Sequence, residues 1–412
     1  KSAVVVGGGF IGVETAENLR EMGLAVSLIQ RSNHILPPVD YDIASFLHAH
    51  MREKGVRLLL EKNVTGFEET AEGITVSLED AAPVTAEMAV LAIGVAPESG
   101  LAAKAGLALG VKGSILVNEH MQTSEPDIYA VGDAVSVTNA VTGQKAVIAL
   151  AGPANKQGRI AADHIAGLDA CYQGSVGSSV LKIFDMTAAF TGLNEQAAKA
   201  LGLAYDKVIL SPASHASYYP GAKVMTMKLL FEKETERILG AQIVGFDGVD
   251  KRIDVIATAM QAGMKVTALK NLDLAYAPPY SSAKDPVNMA GFIAENLITG
   301  KVSQFYYEDL ETLPRDGSVT LLDARTDGEY GNGHAEGFET HIPVDDLRER
   351  LGELDKEKPV YVMCQSGLRS YLACRILSQN GFDCSNFAGG YRFYASVKHD
   401  RFDSECRTGC GL

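Results

Sequence analysis

Cys364 stands at the point where an apolar strand gives way to a polar loop, in the segment VYVMCQSGLRSYLACRIL. Val360 to Met363 predict a buried strand, and Ser370 to Leu377 predict an amphipathic helix. Successive backbone N–H groups of a curled loop form an anion nest, and the following helix adds its positive end. Arg369 would add a charged donor, so the arrangement favours thiolate over thiol at Cys364.

The loop between this cysteine and the arginine resembles sulfur-carrying loops in its length. A thiolate here would attack a sulfane sulfur, hold it as a persulfide and pass it to an acceptor thiol. A phosphatase loop needs one more residue between cysteine and arginine, so sulfurtransfer is favoured over phosphatase chemistry and over a structural cysteine. Asp323 and Arg325, at the end of another strand, are interpreted as structural. The residues predicted to contact the sulfur donor are Gln365, Ser366, Gly367 and Leu368.

Other cysteines have less distinctive surroundings. Cys374 falls inside the predicted helix and Cys384 near the next strand, so both are interpreted as packing residues. Cys406 and Cys410 lie in the polar tail SECRTGCGL and receive no role.

A second candidate site opens the chain. AVVVGGGFIG predicts a strand running into a glycine turn, where three glycines give G-x-G-x-x-G ahead of a helix. The first glycine allows the tight turn, the second lets backbone approach a pyrophosphate, and the third lets the helix pack on the strand. The helix N-terminus then offers unpaired N–H groups to the phosphates. The predicted dinucleotide site comprises Gly7, Gly9, Phe10, Ile11 and Gly12.

The residues after the second predicted strand leave the choice between NADH and NADPH open. An Asp or Glu roughly 20 residues after the turn would accept the ribose 2′-hydroxyl. The segment SLIQRS instead places Gln30 and Arg31 there. Arg31 either pairs with a 2′-phosphate, which would favour NADPH, or is a surface residue.

Length and composition describe a folded protein of several domains. The chain has 412 residues, of which 46% are hydrophobic and 21% charged, and no apolar run is long enough to cross a bilayer. A net charge of −14 without a basic stripe argues against nucleic acid as a partner. Six cysteines without disulfide-framework spacing favour thiol chemistry in a reducing cytoplasm, with no membrane partner.

Strand and helix patterns alternate along the first part of the chain, which predicts a parallel α/β sheet. Longer, meandering strands such as KVMTMKLLFE, followed by helices such as RIDVIATAMQAG, give an α+β pattern between 175 and 300. A further α/β unit begins near Gln304. In TSEPDIYAVGDA, an apolar strand is expected to end at Gly132 and Asp133, which would place a carboxylate at a sheet edge.

Four segments together resemble the flavin-dependent pyridine nucleotide–disulfide oxidoreductases: VVVGGGFIGVETAENL, AVLAIGVAPES, TSEPDIYAVGDA and ALAGPANKQGRIAADHI. Within that superfamily, SYYPGA, VDKRID and AYAPPYSSAKDPVNMAGFIAEN are similar to the coenzyme A-disulfide reductases and their persulfide-reductase relatives. The resemblance implies FAD and NAD(P)H as cofactors, with Asp133 on the flavin ribitol and a helix N-terminus directed at the flavin. The cofactor contacts that it implies are Glu14, Gly94, Gly132, Asp133, Ala151 and Ala154.

Tyrosines in two Pro/Gly-rich segments offer a rigid apolar face and a hydroxyl donor. The same resemblance implies that one tyrosine of each segment meets the flavin and substrate of the other subunit in a homodimer. A tyrosine-rich dimer interface is the alternative, and the two are compatible. Lys251 and Arg252 would hold the phosphates of coenzyme A. The tyrosines are Tyr218, Tyr219, Tyr276 and Tyr280.

The segment from 304 to 398 resembles a rhodanese, through LLDARTDGEY, GHAEGFETHIPVDDLRERL, CQSGLRS and FAGGY. The FAD-binding βαβ unit that begins such reductases, and the redox cysteine that follows it, are missing from the sequence, which is interpreted as N-terminally truncated. The predicted α/β organisation is a Rossmann-like NAD(P)-binding domain (1–112), the C-terminal part of an FAD-binding domain (113–172), an α+β dimerisation domain (173–300), a rhodanese α/β domain (304–398) and a tail (399–412).

Three functional hypotheses follow. The first is a flavin-dependent reductase of coenzyme A disulfide or persulfide, coupled to a sulfurtransferase that takes sulfur from a persulfide or thiosulfate. The second is a sulfurtransferase alone, with the dehydrogenase-like part as a dimer scaffold. The third is a nucleotide-binding or dimerisation module that needs a separate chain to supply the flavin domain.

Overall fold

The computed structural model describes residues 1–402. The first part of the chain forms a parallel sheet in the order β3-β2-β1-β7 and a small antiparallel sheet in the order β4-β5-β6. The predicted parallel α/β sheet is therefore confirmed. In chain order the elements are β1 (Ser2–Val6), α1 (Phe10–Glu21), β2 (Ala25–Ile29), α2 (Tyr41–Glu53), β3 (Arg57–Leu59), β4 (Val64–Thr70), β5 (Gly73–Leu78), β6 (Val84–Ala86), β7 (Met88–Leu91), α3 (Gly100–Lys104) and a 3-10 turn at Val111–Gly113.

β1 lies in the interior of the parallel sheet, which explains its uninterrupted apolar sequence. Val4 pairs with Ser27 on one side and with Ala89 on the other. The chain then turns at once into α1, whose apolar face buries Val13 and Ala16. The turn between strand and helix is thereby held at the carboxyl edge of the sheet, where ligands bind in folds of this type.

The middle part contains few regular elements. They are β8 (Ile115–Leu116), a 3-10 turn at Gly132–Ala134, β9 (Val135–Thr138), β10 (Lys145–Ala146) and α4 (Ala151–Ile165). The strand expected to end at Gly132 is wrong: Ile128 and Val131 are partly exposed, and Tyr129 makes an isolated bridge to Gln122. A strand needs a continuing ladder, and within residues 1–402 this segment pairs only through that single bridge, so the regular strand begins after the turn instead.

An antiparallel sheet with two helices on it follows, in the strand order β11-β12-β15-β14-β13. Met227, Ile243 and Ile256 are completely buried between sheet and helices. The α+β expectation for this region is confirmed. Its elements are β11 (Ser179–Ile183), β12 (Met186–Gly192), α5 (Glu195–Ala200), β13 (Tyr205–Leu210), β14 (Met225–Glu232), β15 (Ile238–Gly245), α6 (Val249–Gln261), a 3-10 turn at Val266–Asn271 and α7 (Pro286–Ile298).

The C-terminal part is a second parallel sheet, ordered β16-β20-β19-β17-β18. β19 is central and almost wholly buried, as its VYVM sequence predicts. Among helices of residues 1–402, none is both long and apolar enough to span a bilayer. The elements are β16 (Ser303–Phe305), a 3-10 turn at Tyr307–Asp309, β17 (Thr320–Asp323), α8 (Asp327–Gly331), β18 (Thr340–His341), a 3-10 turn at Leu351–Glu353, β19 (Val360–Met363), α9 (Leu368–Gln379), β20 (Cys384–Phe387) and α10 (Gly390–Phe402).

Helix α10 packs against α2, which joins the last part of the chain to the first. The rings of Phe46 and Phe393 lie 6.1 Å apart in a shared apolar core. His48, on the same helix as Phe46, donates from Nδ1 to the carboxylate of Asp400 at 2.8 Å. Its Nε2 accepts from the backbone N–H of Ile35 at 3.2 Å. A buried imidazole thus connects the loop after β2 to the C-terminal helix.

A second junction joins the C-terminal part to the antiparallel sheet. Lys207 of β13 forms an ion pair with Glu308, and its ammonium lies 4.4 Å from the ring centre of Tyr306. The Tyr306 hydroxyl donates to Asp206 at 2.7 Å. Lys207 is nearly fully buried, whereas the Glu308 side chain is 52% exposed, so solvent reaches the ion pair from the carboxylate side.

Lys228 of β14 forms the centre of a buried ion cluster between the first sheet region and the antiparallel sheet. Its ammonium lies 2.8 Å from Asp42, 3.0 Å from Asp40 and 2.6 Å from Glu195. Burial raises the pKa of Asp42. Burial alone would also raise the pKa of Glu195, but the charges of Lys228 and Lys207 lower it on balance. The cluster is held by the lysine, since without it three carboxylates would share a dry site.

Candidate active site: the cysteine loop and the nucleotide turn

Cys364 follows directly on β19, at the carboxyl edge of the C-terminal sheet, and its side chain is fully buried. Two donors point at its sulfur: the backbone N–H of Gly367 and the hydroxyl of Ser370, each at 3.2 Å. Gly367 immediately precedes α9, so the sulfur lies by the positive end of that helix. The sulfur therefore has one donor from its own loop and one from the first turn of α9.

Arg369 occupies a different position from the one expected. Both arms of its guanidinium donate to the carboxylate of Glu329 at 2.7 Å, rather than to the sulfur of Cys364. Hydrogen bonds from Arg369 lower the pKa of Glu329 to about 2. In return, the bonds to Glu329 raise the pKa of Arg369, and the charge of a Cys364 thiolate acts in the same direction. Arg369 therefore acts on the sulfur through space, with much of its charge offset by Glu329.

A buried ion pair between Asp323 and Arg325 lies against the cysteine loop. Arg325 and Asp323 are both almost fully buried and form a 2.8 Å contact. The guanidinium of Arg325 also donates to the side chain of Gln365 at 3.4 Å and lies over the ring of Tyr391, 3.9 Å from its centre. The N–H of Tyr391 donates to the carbonyl of Cys364 at 2.7 Å. The interpretation of Asp323 and Arg325 as structural agrees with this placement.

Ser366 and Leu368 complete the loop, and Leu368 is largely exposed at the start of α9. Ser370 and Glu329 are functional candidates that were not predicted from the sequence. Ser370 could have been found, because it lies in the first turn of the helix that follows the loop. Glu329 gives no local signal, since it lies 40 residues before its partner.

Two further cysteines lie together behind this loop. Cys374 is buried on α9, and the thiol of Cys384 donates to the Cys374 carbonyl at 3.3 Å. Hydrogen bonding with Cys384 raises the pKa of Cys374. These positions agree with the interpretation of Cys374 and Cys384 as packing residues. Cys406 and Cys410 lie outside the described residues.

The glycine turn after β1 has the shape that a pyrophosphate requires. Gly7 has a φ of +109°, and a Cβ there would lie 2.2 Å from the carbonyl oxygen of Ala92. A Cβ on Gly12 would lie 1.8 Å from the carbonyl oxygen of Gly7, so α1 can approach the strand only without a side chain. At Gly9, by contrast, nothing lies within 4 Å of the Cβ position. The open side of the turn is thus the side where backbone N–H groups would meet phosphates.

Gln30, just after β2, connects the end of that strand to the glycine turn by hydrogen bonds. Its side-chain oxygen accepts from the N–H of Gly8 at 3.0 Å, and its amide donates to Ser32 at 2.7 Å. Arg31 is exposed next to it. Gln30 therefore stabilises the turn through these hydrogen bonds. The exposed Arg31 side chain is the one that is accessible to a nucleotide.

The remaining predicted nucleotide contacts lie around the mouth of this turn. Phe10 is half-buried against Phe190, with ring centres 5.6 Å apart. Ile11 and Glu14 are exposed on α1. Gly94 follows β7 with a φ of +116° and open space at its Cβ position. These residues surround the carboxyl edge of the first sheet, on a separate sheet from Cys364.

The two tyrosine segments come together. The hydroxyls of Tyr218 and Tyr276 lie 2.6 Å apart, and this hydrogen bond raises the pKa of Tyr276. Tyr280 is 73% exposed and Tyr219 is partly exposed. The four rings thus present an open aromatic surface with hydroxyl groups.

Comparison with known proteins identifies three matched regions along the chain. The sequence profile of the pyridine nucleotide-disulphide oxidoreductase family matches residues 1–158, that of its dimerisation domain matches 178–286, and that of the rhodanese-like domain matches 307–396. The structure of reduced Bacillus anthracis CoADR-RHD superposes with a TM-score of 0.93 at 47% identity, covering 97% of this chain and 71% of that one. This chain belongs to the pyridine nucleotide-disulphide oxidoreductase family.

Two other relatives are similar to this chain over most of its length. The NAD-dependent persulfide reductase from A. fulgidus has a TM-score of 0.90 and 40% identity, covering 96% of this chain and 72% of that one. The NAD(P)H coenzyme A polysulfide/persulfide reductase of Pyrococcus horikoshii is 34% identical over 288 residues, which are 70% of this chain. This chain spans 64% of the length of that relative. The predicted fold class, with its C-terminal rhodanese domain, is confirmed.

The residues expected to face a flavin lie at the Gly132–Ala134 turn and at the start of α4. Gly132 donates its N–H to the side chain of Gln157 at 2.7 Å, which fixes the Gly132–Ala134 turn against α4. Asp133 is exposed at this turn. Ala151 is the first residue of α4, and Ala154 lies one turn further, beside Gly132. The turn that carries the exposed carboxylate of Asp133 is therefore next to the first turn of α4.

The two predicted phosphate ligands differ in placement. Lys251 is half-buried near the start of α6. Arg252 is only 1% exposed and pairs internally with Asp285 at 3.0 Å. In this structure the guanidinium of Arg252 is thus not available to a phosphate, which corrects the expectation for that residue.

Proposed function

We propose that this chain carries the nicotinamide-binding, substrate-facing and sulfur-handling parts of an FAD- and NAD(P)H-dependent reductase of coenzyme A disulfide or persulfide substrates, coupled to a rhodanese sulfurtransferase. The observation that supports this most is the presence, in one chain, of a buried thiol with two donors on its sulfur and a glycine turn shaped for a dinucleotide. The names of the relatives combine the same two chemistries. We keep the domain boundaries 1–112, 113–172, 173–300 and 304–398 as part of this proposal.

The residues present fit NAD(P)H and the ribitol and ring portion of FAD. The open side of Gly9 and the N-terminus of α1 suit the pyrophosphate of NAD(P)H, and exposed Arg31 is placed for a 2′-phosphate. Asp133 and the N-terminus of α4 suit the ribitol and ring of FAD. When bound, FAD accepts hydride from NAD(P)H and supplies an electron pair to a disulfide.

Cys364 carries the sulfurtransfer. Its thiolate attacks the outer sulfur of thiosulfate or of a persulfide, and the sulfur–sulfur bond of the donor breaks. Sulfite or a thiolate leaves with the electron pair, and Cys364 becomes a persulfide. An acceptor thiolate then attacks the outer sulfur and returns the Cys364 thiolate. Gly367 and Ser370 stabilise the negative charge on the cysteine sulfur before and after transfer.

The tyrosine surface serves the disulfide substrate. The hydroxyls of Tyr218 and Tyr276 are proposed to donate to the thiolate that leaves when a disulfide is cleaved. Tyr219 and Tyr280 would add stacking area, and Lys251 would contact coenzyme A phosphates. In a homodimer, which the matched dimerisation domain supports, this surface would face the flavin of the other subunit. The free thiols of the described cysteines support a reducing cytoplasm.

The test uses this chain and its Cys364→Ser variant. After incubation with thiosulfate, intact-mass measurement should show one added sulfur atom in the wild type and none in the variant. NAD(P)H titration should show binding to both. Sulfur transfer without nucleotide or FAD binding would instead support a sulfurtransferase with a dimer scaffold. Absence of the sulfur adduct would reject the rhodanese half of the proposal.

A further inference from the structure

The side chain of Arg252 connects the two segments that carry the tyrosines. These tyrosine loops are residues 211–224, between β13 and β14, and residues 272–285, before α7. Arg252 lies in the first turn of α6, beneath both loops. Its side chain is only 1% exposed, so its charge must be satisfied within the protein.

One nitrogen of the guanidinium contacts both loops. Nη2 of Arg252 donates to the carbonyl of Ser214 in the first loop at 2.9 Å. In the second loop it donates to the hydroxyl of Ser281 at 3.2 Å and to the carboxylate of Asp285 at 3.0 Å. Nη1 donates to the carbonyl of Gly248 at 3.1 Å, which ties the group to the start of its own helix.

In the second loop, Ser281 and Asp285 are held in position to accept hydrogen bonds from Arg252. The Ser281 hydroxyl donates to Asp285 at 2.7 Å, and Asp285 also accepts from the N–H of Val287, capping α7. The Asp285 carboxylate is therefore fixed by the helix that it caps. Since Asp285 is itself only 3% exposed, little water competes for its bond to Arg252.

The tyrosine hydroxyls meet at the far end of the same two loops. Tyr218 follows Ser214 by four residues, and Tyr276 precedes Ser281 by five. The N–H of Ala216 donates to the carbonyl of Ser281 at 3.1 Å, between the Arg252 contacts and the tyrosine pair. The loops thus touch at three levels, with the charged contact innermost.

We propose that Arg252 is a positioning residue that sets the spacing of the two tyrosine loops, and through it the contact between the hydroxyls of Tyr218 and Tyr276. The inference rests on the proposed role of these tyrosines in disulfide cleavage. A lysine is not equivalent here, because its side chain is shorter and its one ammonium cannot reach Gly248, Ser214 and Asp285 at once, as the two terminal nitrogens of the guanidinium do. The role is distinct from binding a phosphate of the substrate.

The experiment compares wild type with Arg252→Lys by hydrogen–deuterium exchange. We expect amide exchange in residues 211–224 and 272–285 to accelerate at least about tenfold, because a charge-assisted contact is lost from both loops. Exchange in the sheets should be unchanged. Arg237→Lys is the matched control, since Arg237 is an arginine of the same region that is 46% exposed.

A second readout reports on the tyrosine contact itself. 3-Fluorotyrosine at position 276 allows its ionisation to be followed by fluorine NMR. In Tyr218→Phe the pKa at position 276 should fall because the partner hydroxyl is gone, and Arg252→Lys should produce the same direction of change. If Arg252→Lys does not fold, Ser281→Ala, which keeps the Arg252–Asp285 pair, should give a smaller acceleration in the same loops.

Unchanged loop exchange together with an unchanged titration at position 276, in a folded variant, would overturn the positioning role. Faster exchange across the whole chain would equally overturn it, because that result indicates a general contribution to stability. Neither measurement depends on flavin or nucleotide. A failure of the proposed reductase activity would therefore leave this result standing, and the two outcomes are distinguishable.

Discussion

Arg369 and Glu329 form a two-armed ion pair, with 2.7 Å between nitrogen and oxygen on each arm. The pair joins α8, where Glu329 also accepts from Thr326, to the first turn of α9. It fixes the far side of the cysteine loop and offsets the charge of the arginine. The donors that contact the sulfur are accordingly the neutral groups of Gly367 and Ser370.

The first prediction concerns acid stability. Hydrogen bonds from Arg369 hold the pKa of Glu329 at about 2, below its ordinary value of 4.5. The folded state therefore gains stability from this carboxylate above about pH 4.5, and the gain is lost as the pH falls through about 2. In Glu329→Gln this contribution should be missing at every pH. Thermal midpoints measured between about pH 2 and 7 should converge for wild type and variant at the acid end.

Asp400 also has a pKa lowered to about 2, despite a burial that alone would raise it, because His48 and Arg52 donate to it. Wild type and Glu329→Gln share this second acid-sensitive group. The difference between their midpoints therefore isolates Glu329. A difference that stays constant from neutral to acid pH would contradict the assignment.

The second prediction concerns Ser370. Ser370→Ala removes one of the two donors on the Cys364 sulfur and should slow iodoacetamide labelling of Cys364 at neutral pH by about fivefold to tenfold, since one hydrogen bond to a charged group is lost. Peptide mass spectrometry separates this thiol from exposed Cys171. Ser378→Ala, at the exposed end of the same helix, is the control and should label at the wild-type rate. Equal rates for both variants would show that the hydroxyl does not stabilise the thiolate.

The third prediction separates two glycines of the nucleotide turn. Gly9→Ala places its methyl group in open space and leaves stability unchanged, but the methyl occupies the side where a pyrophosphate would lie. NADH or NADPH affinity should fall at least about tenfold by fluorescence titration. Gly12→Ala puts its methyl group 1.8 Å from the Gly7 carbonyl oxygen and should lower both the thermal midpoint and the affinity. Normal nucleotide binding by Gly9→Ala would place the dinucleotide elsewhere.

The fourth prediction concerns the buried ion cluster. Lys228→Met leaves Asp40, Asp42 and Glu195 without their shared cation and should destabilise the fold by about 3–5 kcal/mol in urea titrations. Lys265→Met is the matched control, because its pair with Glu236 is largely exposed and should cost below about 1 kcal/mol. Similar losses in the two variants would mean that burial does not strengthen the cluster.

Features set by neighbouring residues were predictable from sequence. The strand before Cys364, the helix after it and the turn at Gly7 depend on local periodicity and on glycine, and the structure contains all three. The strand expected before Gly132 was wrong because an extended segment becomes a strand only when another strand pairs with it. Local pattern carries no information about that partner.

Contacts between segments that lie far apart in the sequence could not be predicted from the sequence. Nothing near Arg369 shows that Glu329 will meet it, and nothing near Arg252 shows that its charge is buried between two loops. A basic residue in the first turn of a helix is usually solvent-exposed, which made a phosphate ligand the natural expectation. Only the tertiary structure shows whether such a residue is exposed at the surface or, like Arg252, buried and bonded to two loops.

The hydrogen bonds of His48 to Ile35 and Asp400 have a mechanical consequence. Together with the Lys207–Glu308 pair, which joins the C-terminal part to the antiparallel sheet, they hold the part of the chain that carries Cys364 at two places. Movement of that part toward the nucleotide turn would require both contacts to break at once. Under the proposed function, a small diffusing thiol would therefore carry sulfur between the two sites without movement of the domain.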